Sequence, residues 1–268
     1  MGNQRKILLD VGGTFIKCSD GRSIPVDSNG SREEIISSFK EAVGDLSTVD
    51  KVAVAIPGPF DYENGIFMMK HKYAAVYGER FSELVDAPAS VEFAFIHDVN
   101  CMLLGEICHG NAKGYSSAAI VAIGTGLGFS ISIDGAILKN PQGSPLVSIW
   151  NLPYSDRTVE EYVSKRGITG LYDANTDLSV KEIADLAYAS DAKALKVFEQ
   201  AGEILAEVLK PILEKYKIEC LLFGGQISRS FELMRHSLEK KLAGLPALGK
   251  ITQISDFENA TFNGLSDL

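Results

Sequence analysis

The chain of 268 residues has little cysteine, and none of it is paired: Cys18, Cys101, Cys108 and Cys220 form no CxxC spacing. The one close cysteine–histidine pair, Cys108–His109, consists of adjacent residues, which is not metal-ligand spacing. This argues against a disulfide framework and points to buried, reduced thiols. No apolar run approaches the ~20 residues that a bilayer span needs. No signal peptide is expected either, because the short apolar segment in MGNQRKILLDVGG runs straight into glycines without a cleavage site. Met1, Gly2, Asn3, Gln4 and Arg5 match a myristoylation pattern only in part, since the sixth residue is Lys6 rather than Ser or Thr. Basic residues are outnumbered, 26 against 35 acidic, for a net charge of −9. That argues against nucleic acid and against an anionic membrane surface as partners. The expected location is cytoplasmic.

What is present is a globular composition, 46% hydrophobic and 23% charged, long enough for one large domain or two lobes. The chain also repeats itself. ILLDVGGTFIKCSDG (7–21) and IVAIGTGLGFSISIDG (120–135) each read as a strand, a glycine-rich turn, an alternating strand and an Asp-Gly turn. A short third strand follows each, in SIPVDS and AILKN. After the first copy, REEIISSFKEAV (32–43) has helical spacing, 51–59 and 90–98 read as strands, and 99–109 as a helix. After the second, helices are predicted near 158–166, 180–189, 192–216, 229–242 and 257–266, with strands at 218–225 and 250–255. Both halves therefore read βββαβαβα, with a break near 110–117 at HGNAKGYSS. The stretch 139–157 reads as a long loop. The expected organisation is a first lobe of 1–114, rejoined by the helix of 257–268, and a second lobe of 115–256.

The first glycine turn, DVGGTFIK, opens a strand and not a helix, so it fits neither a Rossmann loop nor a P-loop. Glycines let a backbone turn tightly and aim N–H groups at an anion. Asp10 could orient water on a magnesium ion, and Thr14 offers a hydroxyl. A plain hairpin with a solvated aspartate would give the same residues. GTGLG (124–128) holds the equivalent place in the second copy, and two such loops in register suggest a cleft holding one phosphate chain. In LLFGGQIS (221–228), Gly224 and Gly225 would leave room for a flat ring beside a helix N-terminus.

In VEFAFIHDVNCMLLGE (91–106) an apolar strand ends on His97 and Asp98 and turns into a helix at Val99. An ordinary helix N-cap would explain Asp98 in isolation.

Together DVGGT, AIPGPFD, GTGLG, FGGQIS and NATFNGL resemble, in order and over nearly the whole chain, the ROK family of repressors and sugar kinases. The resemblance implies an α/β actin-like, ribonuclease H-like fold whose two lobes close over ATP, Mg2+ and a sugar. It implies phosphate and nucleotide contacts from Asp10 (to Mg2+ through water), Gly12, Gly13, Thr14, Lys17, Gly124, Thr125, Gly126, Gly128, Gly224 and Gly225. Asp98 becomes the general base toward the attacking hydroxyl, and Gly58 a sugar neighbour. A homodimer is the expected assembly.

Three departures stand out. His97 replaces the asparagine that usually precedes the catalytic aspartate and contacts the sugar; it is the substrate contact expected there, with a different geometry and pH dependence. The family's Glu-x-Gly-His segment and cysteine-rich zinc motif have no counterpart: PQGSPLVSIWNLPYSDRTVEEYVSK (141–165) contains neither His nor Cys, so no zinc site is expected. By register Glu160 then falls where a sugar-binding glutamate belongs, although a solvated Glu at a helix start reads equally well. Finally MMKHKYAAVYG (68–78) offers His71 and Lys72 as substrate contacts, suited to an acidic or phosphorylated sugar. The expected activity is an ATP-dependent sugar kinase. The alternative is a non-catalytic sugar or nucleotide sensor. A DNA-binding repressor is disfavoured because the first strand starts by about residue 6, leaving no room for the repressors' extra domain.

Overall fold

A strand whose every residue is buried sits in the middle of the first sheet. Lys51–Ile56, KVAVAI, pairs in parallel with Lys6–Val11 on one side and Glu92–His97 on the other. Such a strand must be apolar on both faces. Its alternation sorts the layers, since successive side chains point to opposite faces. Val52, Val54 and Ile56 pack with Ile35, Phe39, Ala42 and Val43 of the helix Arg32–Val43. Ala53 and Ala55 face Cys101 of the helix Asp98–Cys108 and Leu265 of the helix Ala260–Ser266. Small side chains on that second face let two helices settle close to the sheet.

The computed structural model describes residues 5–268; the partial myristoylation match at Met1–Gln4 lies outside them. The chain divides into two units. One comprises the residues up to Cys108 with Lys139–Pro145 and Glu258–Leu268, and the other comprises His109–Leu138 and Leu146–Phe257. Compared with the boundary read from sequence, the division falls a few residues earlier, and the segment 139–145 groups with the first unit.

Each unit carries a five-stranded mixed sheet. In the first the order is Ser23–Pro25, Phe15–Cys18, Lys6–Val11, Lys51–Ile56, Glu92–His97. In the second it is Ala136–Ile137, Leu127–Ile133, Ser117–Ile123, Cys220–Gly224, Lys250–Gln253. In both, an antiparallel three-strand meander is extended by two parallel strands. This is the duplicated α/β arrangement expected from the repeat.

Local signals explain the helix boundaries. Ser31 and Glu34 form a capping box at the start of Arg32–Val43, as do Ser179 and Glu182 before Val180–Tyr188. Asp191 accepts the Ala194 N–H at 2.8 Å and opens Ala192–Tyr216, whose Phe198, Ala201, Leu205 and Leu209 enter the second core.

Three readings change. The helix predicted near 158–166 is two short helices, Glu160–Val163 and Lys165–Tyr172, broken at the extended backbone of Ser164. The helix predicted from 229 begins at Glu232, after a 3-10 stretch over Gln226–Ser230. Within the expected loop of 139–157, Pro153–Tyr154 pairs with Arg157–Thr158 as a small hairpin.

The helices Asp98–Cys108 and Ala260–Ser266 cross at glycines. A Cβ on Gly264 would collide with the Cys101 carbonyl, and one on Gly105 with the Ala260 carbonyl. Gly264→Ala should therefore destabilise the chain. Overpacking costs about 1–3 kcal/mol and exceeds the gain in helix propensity of about 1 kcal/mol. Urea denaturation checks this, and a midpoint at or above the parent's would contradict it.

Candidate active site

Three parallel strands of the first unit, Lys6–Val11, Lys51–Ile56 and Glu92–His97, end at a common level. Asp10 is in register with Ala55, and Ala55 with Ile96, so Asp10 and the His97–Asp98 pair lie at neighbouring strand ends. The carboxyl ends of parallel strands are where α/β sheets collect ligands.

Asp98 is the first residue of its helix. Its Oδ1 accepts the Val99 N–H at 2.7 Å and lies 2.8 Å from His97 Nδ1. When His97 is protonated the two form an ion pair, Nδ1 donating to the carboxylate; on the neutral ring Nδ1 accepts the Val99 N–H at 3.3 Å. Both donors use one oxygen, and Oδ2 has no hydrogen-bond partner among the described residues. The side chain nevertheless keeps 39% of its surface open, so a solute can reach the free oxygen. Burial is the largest influence on its ionisation and pushes upward. The His97 charge and hydrogen bond, the Val99 N–H and the Lys72 charge together outweigh it and hold the carboxyl below its ordinary value. Asp98 is thus an ionised, partly open acceptor at neutral pH. An N-cap would accept from the second or third helical N–H; Asp98 accepts from the next residue instead.

Asp10 has the opposite environment. Burial, and then the charge of Asp98, raise it from 3.8 to about 6, with Lys17 opposing. Lys17 is its cross-strand partner.

The first glycine turn has its own accounting. Gly12 N–H donates to Phe15 O at 2.9 Å, while the Gly13 and Thr14 carbonyls accept from Ser28 and Val26. The N–H groups of Gly13 and Thr14 are left without acceptors among the described residues, and two adjacent free N–H groups suit an anion. The second turn, within the other unit, repeats the pattern. Gly124 N–H donates to Gly126 O and Leu127 N–H to Glu160 Oε2, both at 2.9 Å. That leaves Thr125 and Gly126. Gly128 lies inside the strand Leu127–Ile133 opposite Ala122, away from the turn.

The structure also gives the surroundings of the other expected contacts. A Cβ on Gly224 would meet Ile120 and Ile254 at 3.3 Å, and one on Gly225 would run into the Ile123 backbone. In the directions in which side chains would project the space is taken by packing, and the segment that follows is the 3-10 stretch. Glu160, read as a sugar contact, spends Oε2 on the second glycine turn. His71 is exposed.

Around Asp98 the structure adds residues with no motif. A Cβ on Gly58 would meet Ser144 Oγ at 3.3 Å, Tyr62 Oη at 3.4 Å and His97 Cδ2 at 3.5 Å. Tyr62 donates to Ile56 O at 2.9 Å and is hydrogen-bonded to Ser144. Buried Asn100 donates to Gly143 O at 3.2 Å. The segment 139–145 therefore packs beside the Asp98 helix start. The polar composition of 139–145 was the only trace of this in the sequence.

The model of the ROK family matches residues 22–145 and 155–262. A glucokinase of Thermotoga maritima is 21% identical over 280 residues, covering 90% of this chain and 88% of that protein. The DNA-binding transcriptional repressor Mlc of Escherichia coli is 21% identical over 210 residues, 70% of this chain and 52% of the repressor. A ROK family glucokinase from Streptomyces griseus, solved in complex with glucose and AMPPNP, superposes with a TM-score of 0.79 at 19% identity over 98% of each chain. That likeness shows a shared fold.

Because Asp10 is raised from 3.8 to about 6, the folded chain keeps a proton there that the unfolded chain has already lost. Stability therefore falls as pH rises through that window. Asp10→Asn should unfold at a higher temperature than the parent at about pH 7.5 and converge with it below the ordinary aspartate range. The gain is at most about 3 kcal/mol. Calorimetry at the two pH values checks it, and equal midpoints at about pH 7.5 would contradict it.

Proposed function

The chain belongs to the ROK family, and from that premise we propose that it is an ATP-dependent carbohydrate kinase with Asp98 as general base. One observation carries the reading: Asp98 has one oxygen saturated by His97 and Val99 and the other free, on a carboxyl held ionised. A binding protein has no use for that asymmetry. A base needs an oriented carboxylate with an open lone pair, and phosphoryl transfer asks for little more than positioning and charge stabilisation.

In the reaction, a sugar hydroxyl oxygen forms a bond to the γ-phosphorus of ATP. The bond from that phosphorus to the β,γ-bridging oxygen breaks, and ADP leaves with the electron pair. The hydroxyl proton passes to Asp98 Oδ2. His97 and Val99 hold Oδ1 and so fix the rotation of the carboxylate. Tyr62, Ser144 and Gly58 form the polar surroundings through which a sugar would reach it. Each glycine turn presents a pair of free N–H groups suited to phosphate oxygens. The alternative, a non-catalytic sensor, draws on the similarity to the repressor Mlc, and turnover separates the two readings.

The donor chemistry fits magnesium. Asp10 is a carboxylate that burial and a second carboxylate make expensive to ionise, and a cation relieves that cost. Among the described residues no cluster of three or more His, Cys, Asp or Glu surrounds it. A lone carboxylate suits an ion that keeps most of its waters. Bound there, magnesium would neutralise charge on the phosphates.

ADP release measured across a panel of hexoses and hexose derivatives tests the proposal. Asp98→Asn should lower kcat by about 10²–10⁴-fold, the span of general-base catalysis, with sugar KM little changed. Undiminished turnover in that variant would remove Asp98 from the role. ATP binding without turnover on any sugar would favour the sensor.

Glu160 provides a separate check. If its carboxylate braces the second glycine turn, Glu160→Ala should raise KM for ATP several-fold and spare KM for the sugar. The reverse split would restore it as a sugar contact.

A further inference from the structure

The residue that the mechanism above leaves unused is Lys72. Its Cε and Nζ lie 3.5 and 3.6 Å from the position a Cβ on Gly13 would take, so the ammonium stands against the first glycine turn. It is half-buried, and among the described residues it makes neither an ion pair nor a hydrogen bond. The same charge reaches Asp98 and helps to hold that carboxyl ionised. Lys72 is therefore within electrostatic range of the base while touching the turn that offers the Gly13 and Thr14 N–H groups.

The chain holds it there from both sides. Tyr73 is fully buried among Phe39 and Phe67, with ring centroids 5.6 and 5.5 Å away. Its hydroxyl donates to Gly12 O at 2.5 Å and its N–H to Ser28 O at 2.6 Å. Ser28 N–H in turn donates to Gly13 O at 3.1 Å. The Tyr73 backbone sits at φ 52, a left-handed conformation that a bulky residue adopts only when its surroundings impose it. The backbone beside Lys72 is thus tied to the glycine turn by three hydrogen bonds and an aromatic core. A half-buried ammonium without a partner is costly, and an anion at the turn would remove that cost.

We propose that Lys72 is a catalytic residue that binds the phosphoryl group in transit, between the Gly13–Thr14 N–H pair and the carboxylate of Asp98. The proposal rests on the kinase reading and deepens it. As the sugar oxygen–phosphorus bond forms and the bond to ADP breaks, the Lys72 ammonium donates hydrogen bonds to the non-bridging oxygens and keeps its proton. The hydroxyl proton still goes to Asp98. Charge placed where the transition state concentrates it acts on kcat more than on binding of the sugar.

Steady-state kinetics on Lys72→Met and Lys72→Arg, with calorimetric binding of magnesium AMPPNP and magnesium ADP, test this. Lys72→Met should lose about 10²–10³-fold in kcat, the scale of one removed charge-stabilising donor, with sugar KM within about threefold. Lys72→Arg should recover part of the loss. The methionine variant should bind AMPPNP about tenfold more weakly and ADP as the parent does, which also reports an intact site. A parent that turns over no sugar would sink the kinase reading, while the AMPPNP-to-ADP comparison would still decide Lys72. Equal AMPPNP affinity in parent and Lys72→Met would overturn the proposal. So would an unchanged kcat with KM raised for sugar acids or sugar phosphates alone, because Lys72 would then grip a substituent on the acceptor.

Discussion

Two carboxylates at neighbouring ends of parallel strands cannot both be ionised cheaply, and the first unit is arranged around that constraint. Its solution is unequal treatment. Burial pushes Asp98 up, but the His97 imidazole, the Val99 N–H and the field of Lys72 outweigh it and hold the carboxyl below its ordinary value. Asp10 receives burial and the repulsion of Asp98, relieved only in part by Lys17, and lies near 6. Environments that push two acids apart assign them different tasks. The favoured carboxylate stays ionised at neutral pH, as the proposed base must be. The disfavoured one is the carboxylate that a cation would relieve most.

The two glycine turns show how one backbone solution is kept by different means. In each, one N–H closes the turn and two adjacent N–H groups have no acceptor among the described residues. The first turn is steadied by main chain, from Val26 and Ser28, and by the Tyr73 hydroxyl. The second is steadied by the Glu160 carboxylate on Leu127 N–H and by Lys165 N–H on Gly124 O. Like topology in the two sheets therefore delivers like donors, although the residues that hold them share nothing.

Elements and turns were readable from sequence because their causes are local. The alternation of KVAVAI, the Ser31 and Ser179 caps and the Asp-Gly turns each act within a few residues. The strand-to-helix corner at Asp98 was visible for the same reason. Contacts between distant segments were not. Nothing near Tyr62 announces Ser144, and nothing near Asn100 announces Gly143, because such pairs are set by how the segment 139–145 returns to the first unit. Gly224 and Gly225 are ambiguous for a related reason: a glycine pair at a strand end fits a ligand or a neighbouring backbone equally well. Here Ile123, Ile120 and Ile254 occupy the space. Lys72 was noticed for its composition, but its orientation follows from the packing of Tyr73.

The proposed base, Asp98, also depends on residues far along the chain. Its helix is held by Ala260–Ser266, through the crossing at Gly105 and Gly264 and the contact of Cys101 Sγ with Thr261 O at 3.1 Å. Lys51 Nζ binds Leu268 O at 2.5 Å and Glu92 Oε1 at 2.7 Å, joining the same C-terminal segment to the central and outer parallel strands. The first unit thus closes with a contact spanning 217 residues, which makes its assembly expensive in loop entropy. Small residues at the crossing offset that cost, since Ala53, Ala55, Gly105 and Gly264 let the two helices approach the sheet and each other closely enough to exclude water. The position of Asp98 is therefore a property of the whole first unit. Any change that loosens the helix crossing should move the base before it unfolds the chain.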